Sequence, residues 1–357
     1  MKRIFKVIFT VLIFLSAFTL ASLIILLTIL TLLEYRPKER EDVSIRGSAQ
    51  KEACTQSQIK ILSWNIGYAD LADYADFFMD GGKHVQNSSP SQIRQNLESF
   101  VHCIKESGAD AILLQEVDLC SKRSFKVDQA MFISSALKDF SSSFAYNFKA
   151  AFVPYPLPPI GSVKSGLLTL SSFKPSSAQR ISLFLPFKWP VRIANLKRCL
   201  LVTRIPIADC DKELVLVNLH LEAFDSGQGK IEQTKKLRNF IQSEYEKGNY
   251  VIAGGDFNQT FSNTDISSYY QKPTGWKPGL LETSDFPQDW QLLQDPSVPT
   301  CRSNGSVYKG ADKSKFQFFC IDGFIVSPNV RLSSIKTLDL DFANSDHNPV
   351  LLTVSLQ

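Results

Sequence analysis

The sequence predicts an α/β domain that follows a single N-terminal apolar helix. Residues 7–33 form a run of 27 residues without a charge. In the roughly 300 residues that follow, short apolar runs with strand character recur. One amphipathic segment, residues 91–107, stands between two of those runs, which is the pattern of a strand–helix–strand unit.

The apolar run is long enough to cross a membrane. At about 1.5 Å per residue it spans roughly 40 Å as a helix, against a hydrocarbon core of about 30 Å. A cleavable signal peptide is the alternative, because Lys2, Arg3 and Lys6 form a basic head. Cleavable apolar regions are usually about 7–15 residues long, and no clear Ala-x-Ala site follows this one. Residues 1–33 are therefore predicted to be a retained signal anchor.

The number of basic residues is nearly equal on the two sides of this anchor, so the charges favour neither orientation strongly. We expect a short tail inside the cell and a single-pass protein whose large domain lies outside the cytoplasm. The basic residues on the two sides are Lys2, Arg3 and Lys6 before the run and Arg36, Lys38 and Arg40 after it.

Composition divides the rest of the chain and excludes some classes of protein. Residues 34–57, rich in charge, Ser and Gln, are predicted to be a juxtamembrane linker, and residues 58–357 one domain without repeats. The net charge of +4 is too small to indicate a nucleic-acid-binding stripe. Seven cysteines without a Cys-x-x-Cys pair favour buried free thiols over a disulfide framework or a zinc site.

Polar residues follow the first apolar strands. Residues 59–64 form a predicted strand that ends at Asn65, and residues 110–115 form another that ends at Glu116. The helix between them, residues 91–107, stops at Gly108. If the two strands are neighbours, Asn65 and Glu116 lie side by side at one edge of a sheet.

The middle of the chain is predicted to contain further strands and an exposed or packed aromatic segment. Strands are expected at residues 144–152, 166–171 and 196–205, and a second helix within residues 118–140. The segment 184–190, rich in Phe, Trp and Pro, is interpreted either as a surface that contacts substrate or membrane or as part of the core.

Polar residues also end or interrupt the later strands. His220 ends the strand 214–221, and a helix over residues 231–245 follows it. After the next strand, Asp256 and Asn258 alternate in an extended segment and so face the same side. Asp322 lies within an apolar run, where a charge is costly unless it is paired. The last of these groups is the pair Asp346-His347 before residues 350–354.

These strings resemble the endonuclease/exonuclease/phosphatase superfamily of metal-dependent phosphohydrolases over residues 59–354. The resemblance implies a four-layer α/β sandwich, two packed mixed β-sheets flanked by helices, with the site at one edge. The matching strings, in the family's order, are Ser63-Trp64-Asn65-Ile66, Leu114-Gln115-Glu116-Val117, Asn218-Leu219-His220-Leu221, Gly255-Asp256-Phe257-Asn258, Ile321-Asp322 and Ser345-Asp346-His347-Asn348-Pro349.

The resemblance also implies roles for the polar residues. Mg²⁺, with Mn²⁺ as an alternative, prefers oxygen ligands, so Glu116 is the expected principal ligand with Asn65 and Asp346 close to the metal. His347 is the expected general base, held by Asp322. The remaining three residues are expected to act on the phosphate: Asp256 and Asn258 orient the nucleophile or bind phosphate, and His220 donates to the developing charge.

The substrate is less constrained, because members of this superfamily cleave nucleic acids, sphingomyelin, inositol phosphates and other phosphoesters. The Asn-Leu-His-Leu-Glu-Ala string beginning at Asn218 is more similar to the sphingomyelinase-like and general hydrolase branches than to abasic-site repair enzymes. We expect a membrane-anchored Mg²⁺-dependent phosphodiesterase acting on a lipid head group. An extracytoplasmic nuclease is the enzymatic alternative, and a catalytically silent membrane-tethered scaffold is the other. Nothing in the sequence indicates an obligate protein partner.

Overall fold

The computed structural model describes residues 2–225, 227–270, 272–273 and 275–357. Its α-helices are α1 (Lys2–Leu32), α2 (Pro90–Ser107), α3 (Gln129–Ala136) and α4 (Gln228–Glu246). Short 3-10 turns lie at Gly67–Ala69, Phe78–Asp80, Val191–Ala194, Thr283–Asp285 and Lys313–Lys315.

The β-strands follow the chain in two groups separated by α4. Those before it are β1 (Arg40–Asp42), β2 (Ile45–Gly47), β3 (Gln58–Asn65), β4 (Ala111–Asp118), β5 (Ser141–Val153), β6 (Gly161–Ser171), β7 (Ser177–Ser182), β8 (Cys199–Pro206) and β9 (Glu213–His220). Those after it are β10 (Tyr250–Asp256), β11 (Gln259–Phe261), β12 (Gly279–Leu281), β13 (Gln291–Leu293), β14 (Cys301–Arg302), β15 (Phe318–Phe319), β16 (Asp322–Val326), β17 (Val330–Thr337) and β18 (Val350–Leu356).

Two mixed seven-stranded sheets form the domain. One has the strand order β1-β7-β8-β9-β10-β16-β13 and the other β17-β18-β3-β4-β6-β5-β2. Each sheet contains one parallel pair of strands. In the first sheet α4 connects β9 to β10, and in the second sheet α2 connects β3 to β4. Because parallel neighbours end at the same edge, each unit brings two strand ends together.

The core confirms the predicted four-layer sandwich. One apolar cluster, which includes Ile61 and Leu113 of one sheet and Ile252 and Phe324 of the other, fills the space between the sheets. A second cluster packs α4 on its sheet, and a third packs α2 and α3 on the other sheet. The order of layers is therefore helix, sheet, sheet, helix.

Local sequence explains why α2 forms where it does. Ser89 caps the helix by accepting a hydrogen bond from the Gln92 amide at 3.2 Å, and Pro90 occupies the first turn. Gly108 ends it with a φ of +61°. The buried face repeats at helical spacing and includes Ile93, Leu97, Phe100, Val101 and Ile104.

The stretch predicted to be a linker, residues 34–57, adds an edge strand to each sheet. Strand β1 pairs with β7, and β2 pairs with β5. Preceding it, α1 is long and apolar enough to span a membrane, and none of its residues is buried against the domain. The chain therefore leaves α1 and runs directly onto both sheets.

The second helix lies within the predicted range 118–140: it covers Gln129–Ala136, and turns occupy the residues before it. Two other details differ from the sequence prediction. The apolar run 316–326 is interrupted between β15 and β16. All seven cysteines are free as expected, but only Cys199, Cys301 and Cys320 are buried: Cys54 and Cys103, the latter on α2, are partly exposed, and Cys120 and Cys210 are exposed in bends.

Candidate active site

The eight predicted site residues converge at one edge of the sandwich. They lie at or just beyond the ends of β3, β4, β9 and β10, at the start of β16 and before β18. Glu116 is partly exposed, and the other seven are buried: Asn65, His220, Asp256, Asn258, Asp322, Asp346 and His347.

Asp322, the charged residue within an apolar run, is paired with His347. Asp322, 1% exposed, binds His347 through its Oδ2, which lies 2.9 Å from the imidazole Nδ1. This contact fixes the ring and leaves Nε2 directed towards the cleft, 3.9 Å from an oxygen of Asp256.

The Ser-Trp-Asn and Ser-Asp-His strings hold each other in place. The indole Nε1 of Trp64 donates to the His347 carbonyl at 2.8 Å. The hydroxyl of Ser345 donates to the Asn65 carbonyl at 2.8 Å and accepts from the His347 amide at 3.2 Å. Two sequence-distant segments thereby set the position of the His347 backbone.

Asp256 contacts several members of the polar cluster, namely Asn65, His220 and Asn258. Its Oδ2 accepts from the Asn65 amide nitrogen at 3.1 Å and lies 3.4 Å from His220 Nε2. Its Oδ1 accepts from the backbone amide of Asn258 at 2.9 Å. Asn258 itself donates from its side chain to the Leu221 carbonyl at 2.9 Å, so its side chain braces the turn.

Glu116 reaches the cluster through an irregular backbone. The Asn65 Nδ2 donates to its Oε1 at 3.2 Å. The pairing of β4 with β6 shifts register between Leu114 and Val117, and Glu116 has a φ of +55°. Non-glycine residues in this region are strained, and such strain concentrates at functional sites.

The glycine before Asp256 allows a close approach between strands. Gly255 has a φ of +150°, and a Cβ there would lie 2.0 Å from the Leu219 carbonyl oxygen. Only glycine therefore fits the backbone that presents Asp256.

Asn218, in the Asn-Leu-His string, does not enter the site. Its amide nitrogen donates to the carbonyls of Leu114 and Leu168, both at 3.1 Å, and its oxygen accepts from Gln115 at 2.9 Å. These contacts join the two sheets directly beneath the polar cluster.

The structure adds site residues that the sequence reasoning missed. Asn304 donates to Asp346 Oδ2 at 2.5 Å and is itself bound by Arg302. Arg123 forms a bidentate pair with Asp118 and lies 3.6 Å from the centre of the Tyr68 ring. These residues come from loops and turns without periodicity, so the sequence carried no signal that they face the cleft.

The buried carboxylates repel one another. Burial raises the pKa of Glu116, and Asp346 adds to the effect while Arg123 opposes it. Burial and then Asp322 raise the pKa of Asp256 to about 7, against the influence of His347. In both groups the largest cause is burial, which disfavours the charged form, and a neighbouring carboxylate adds to it.

The two histidines are perturbed in opposite directions. Burial lowers the pKa of His220 well below its usual value, and Arg198 and His347 lower it further. Burial also disfavours the charged form of His347, but Asp322 and Cys301 outweigh it and hold that pKa well above its usual value. His220 is therefore neutral at neutral pH.

The donor set fits a divalent cation with oxygen ligands. Glu116, Asp346 and Asp256 supply three carboxylates to one cleft, and carboxylate oxygens are ligands that Mg²⁺ prefers. Among the described residues, Asp322 Oδ1 is a buried oxygen without a hydrogen-bond partner. Asp256, Asp322 and His347 also bring ligand atoms within 4.8 Å of one another, but a cation there would compete with the Asp322–His347 hydrogen bond.

A cleft of about 700 Å³ leads to the cluster. Cationic side chains contribute to it near the polar end, among them Arg123, Arg198 and Arg302. Its remaining wall is rich in apolar groups: Phe77, Met79, Phe148, Ile160, Leu196, Phe224, Trp276, Phe316, Phe319 and Ile321.

Comparisons with known proteins agree with this arrangement. The model of the Endonuclease/Exonuclease/phosphatase family matches residues 62–347. No curated protein matches the chain.

Several solved structures share the fold at low sequence identity. An endonuclease/exonuclease/phosphatase from Bacteroides vulgatus is 13% identical, with a TM-score of 0.55 and coverage of 85% of this chain and 100% of that one. One from Beutenbergia cavernae is 15% identical, with a TM-score of 0.53 and coverage of 84% and 72%. D. rerio TDP2, complexed with a single-strand DNA product, is 14% identical, with a TM-score of 0.51 and coverage of 84% and 100%.

Proposed function

Because the chain belongs to the Endonuclease/Exonuclease/phosphatase family, we propose that it is a membrane-anchored, Mg²⁺-dependent phosphodiesterase that acts on a lipid head group outside the cytoplasm. The phosphoesterase class follows from the family. The anchor, the metal and the lipid are the proposed refinements, and each has support in the residues described above.

The proposed chemistry divides the cluster into three tasks. Glu116, with Asn65 and Asp346 beside it, would hold a divalent metal, which would supply positive charge to the phosphate. The neutral form of His347 takes a proton from the attacking water at Nε2, because Nδ1 is engaged by Asp322. Since Asp322 and Cys301 hold the pKa of His347 above its usual value, that form is reached only at a pH above the usual titration range of histidine.

The other polar residues hold the phosphate and the water. Asp256, joined to Asn65 and close to both histidines, is placed to orient the water. Neutral His220 is a hydrogen-bond donor towards the negative charge that develops on the phosphoryl oxygens. Asn258 acts by bracing this turn through its contact with Leu221.

The observation that favours a lipid is the contact between the end of α1 and the loop that leads to Leu196 in the cleft wall. Thr31, in the last turn of α1, accepts a hydrogen bond from Trp189 Nε1 at 3.2 Å. Just beyond the helix, Glu34 pairs with Arg192 at 3.2 Å and Lys197 at 3.4 Å. Leu196, next to Lys197, lines the cleft. If α1 crosses the membrane, the cleft is held close to the bilayer surface.

A parallel substrate assay tests this proposal. The purified full-length chain with Mg²⁺ is offered sphingomyelin in mixed micelles, single-stranded DNA and bis-p-nitrophenyl phosphate. We expect turnover of the lipid and of the small diester, with DNA the poorest substrate. DNA cleavage without lipid cleavage would contradict the lipid assignment, and no turnover of any substrate would favour a silent scaffold.

A nuclease is the second candidate because cationic side chains line the polar end of the cleft and a DNA-complexed protein shares the fold. The apolar wall and the nearby membrane helix favour the lipid. The same assay separates the two.

A further inference from the structure

A second, smaller cavity lies at the junction between α1 and the domain. Its volume is about 290 Å³, close to the lower end of ligand cavities, which is about 300 Å³. The segment after α1 forms one side, with Glu34, Tyr35, Arg36 and Pro37, and the residues before β8 form the other. It is separate from the catalytic cluster, although Arg198 contributes to both cavities.

The charge of this junction cavity is strongly positive. Of the described residues that line it, five are cationic and one, Glu34, is acidic. The cationic residues are Arg36, Arg180, Arg192, Lys197 and Arg198.

These cations are only partly neutralised: Arg198 pairs with Glu222 at 3.3 Å, and Glu34 is the one acidic residue among the described residues that line the cavity. Arg180, 2% exposed, donates to the carbonyls of Tyr146 and Lys197 and to the Ser182 hydroxyl, all of which are neutral. Glu34 faces three cations at once, because Arg36 approaches it at 3.1 Å in addition to Arg192 and Lys197. A positive excess in a largely buried site favours an anionic ligand.

The pKa of Lys197 also reflects the excess of positive charge in the junction cavity. Burial lowers the pKa of Lys197, and although Glu34 opposes this, the neighbouring Arg192 and Arg36 lower it further. Within the described part of the chain, the buried Arg192 Nε atom has no well-directed hydrogen bond, although the Glu34 carboxylate lies 3.2 Å from it. An anion placed among these groups supplies further negative charge and a better-directed acceptor.

The surroundings of the junction cavity place it at the depth of lipid head groups. Trp189 is 51% exposed and Val191 is 58% exposed, in the loop that contacts the end of α1. Phe184, at the start of this loop, is 42% exposed. Tryptophan beside the end of a membrane helix is typical of the interfacial region, where lipid phosphates lie.

We propose that the junction cavity binds the head-group phosphate of an anionic glycerophospholipid, beside the membrane helix. This inference rests on the proposed insertion of α1 in a membrane and does not depend on hydrolysis. Clusters of Lys and Arg next to a membrane helix are the usual recognition elements for anionic lipids.

Bromine quenching of Trp189 in the full-length chain tests this site. Liposomes contain brominated phosphatidylglycerol or brominated phosphatidylcholine at matched mole fractions, and the Trp189→Phe variant gives the background from the other tryptophans. We expect half-maximal quenching at a mole fraction of the anionic lipid about fivefold lower than that of the zwitterionic lipid. Equal quenching by the two lipids would overturn the site.

Matched variants assign the preference to the cavity. We expect Arg192→Gln/Lys197→Gln to lose the preference, and the exposed pair Arg331→Gln/Lys336→Gln, on strand β17 at the far edge of the other sheet, to keep it. If circular dichroism shows that the double variant is unfolded, the single variant Arg192→Gln replaces it, because the Arg192 side chain is 38% exposed and its loss is tolerated more easily. We expect this single variant to show a reduced preference for the anionic lipid. A preference retained in the folded cavity variant contradicts the proposal.

Two further outcomes separate this site from its alternatives. If neither brominated lipid quenches Trp189, α1 is not placed in the bilayer as proposed, and the membrane part of the function fails with the lipid site. If millimolar inorganic phosphate abolishes the preference, a free phosphate is the ligand and the lipid assignment is wrong. Retention of the preference in phosphate supports a lipid.

Discussion

The His347→Ala variant is expected to hydrolyse phosphodiesters about 10²–10⁴-fold more slowly than the native chain, because it lacks the group that accepts the proton of the attacking water. The side chain is buried in contact with Asp322, and Trp64 and Ser345 hold its backbone independently of the ring. The fold is therefore expected to survive. The measurement is kcat on bis-p-nitrophenyl phosphate at saturating Mg²⁺, with circular dichroism as the check on folding.

His102→Ala is the matched control, because its side chain is 72% exposed on α2 and pairs only with nearby Glu106. Asp322→Asn is expected to reduce kcat, since an amide no longer fixes the useful tautomer of His347. The double variant His347→Ala/Asp322→Asn should be no slower than His347→Ala alone, because Asp322 acts through the imidazole. Fully additive losses of activity would contradict the proposal that Asp322 acts through His347. A near-native kcat in folded His347→Ala would refute the assignment of His347 as the general base.

The Glu116→Gln variant is expected to lose most of its Mg²⁺ binding and at least about 10²-fold in activity. The substitution keeps the shape of the side chain but removes a negative charge from a cluster in which Asp346 already repels Glu116. Its metal-free form is therefore expected to be at least as stable as the metal-free native protein. The measurement is the thermal midpoint with and without Mg²⁺.

Glu98→Gln provides the control, since Glu98 is exposed on α2. A ligand at 100 times its Kd stabilises the folded state by about 2.7 kcal/mol, so the native chain and this control should both show a Mg²⁺-dependent rise in the midpoint. Glu116→Gln should show little rise. An equal rise in all three proteins would place the metal elsewhere in the cluster.

The sequence predicted the architecture well where one strand or helix carries its own periodic signal. The strand–helix–strand unit that ends at Asn65 and Glu116 was visible because α2 has a helical apolar face and a Gly108 stop. The two residues indeed meet, with a hydrogen bond of 3.2 Å. Asp322 was informative for a different reason: its charge within an apolar run required a partner, and that partner is His347.

Other parts of the site were not predictable from local patterns. Asn304 lies in a loop 42 positions from Asp346, and nothing in the sequence around it marks it as a cleft residue. The strands β1 and β2 are three residues long and rich in charge, which is why their segment was interpreted only as a linker. The junction cavity brings together residues more than 140 positions apart, so it exists only once the chain is folded.

The most direct test of the central claim is turnover of a phosphodiester by the purified full-length chain with Mg²⁺ and after treatment with EDTA. We expect the chain to hydrolyse bis-p-nitrophenyl phosphate in the presence of Mg²⁺ and to lose this activity in EDTA. The activity should return when Mg²⁺ or Mn²⁺ is added back. Undiminished hydrolysis in EDTA, or none in the presence of either metal by a folded protein, would contradict this claim.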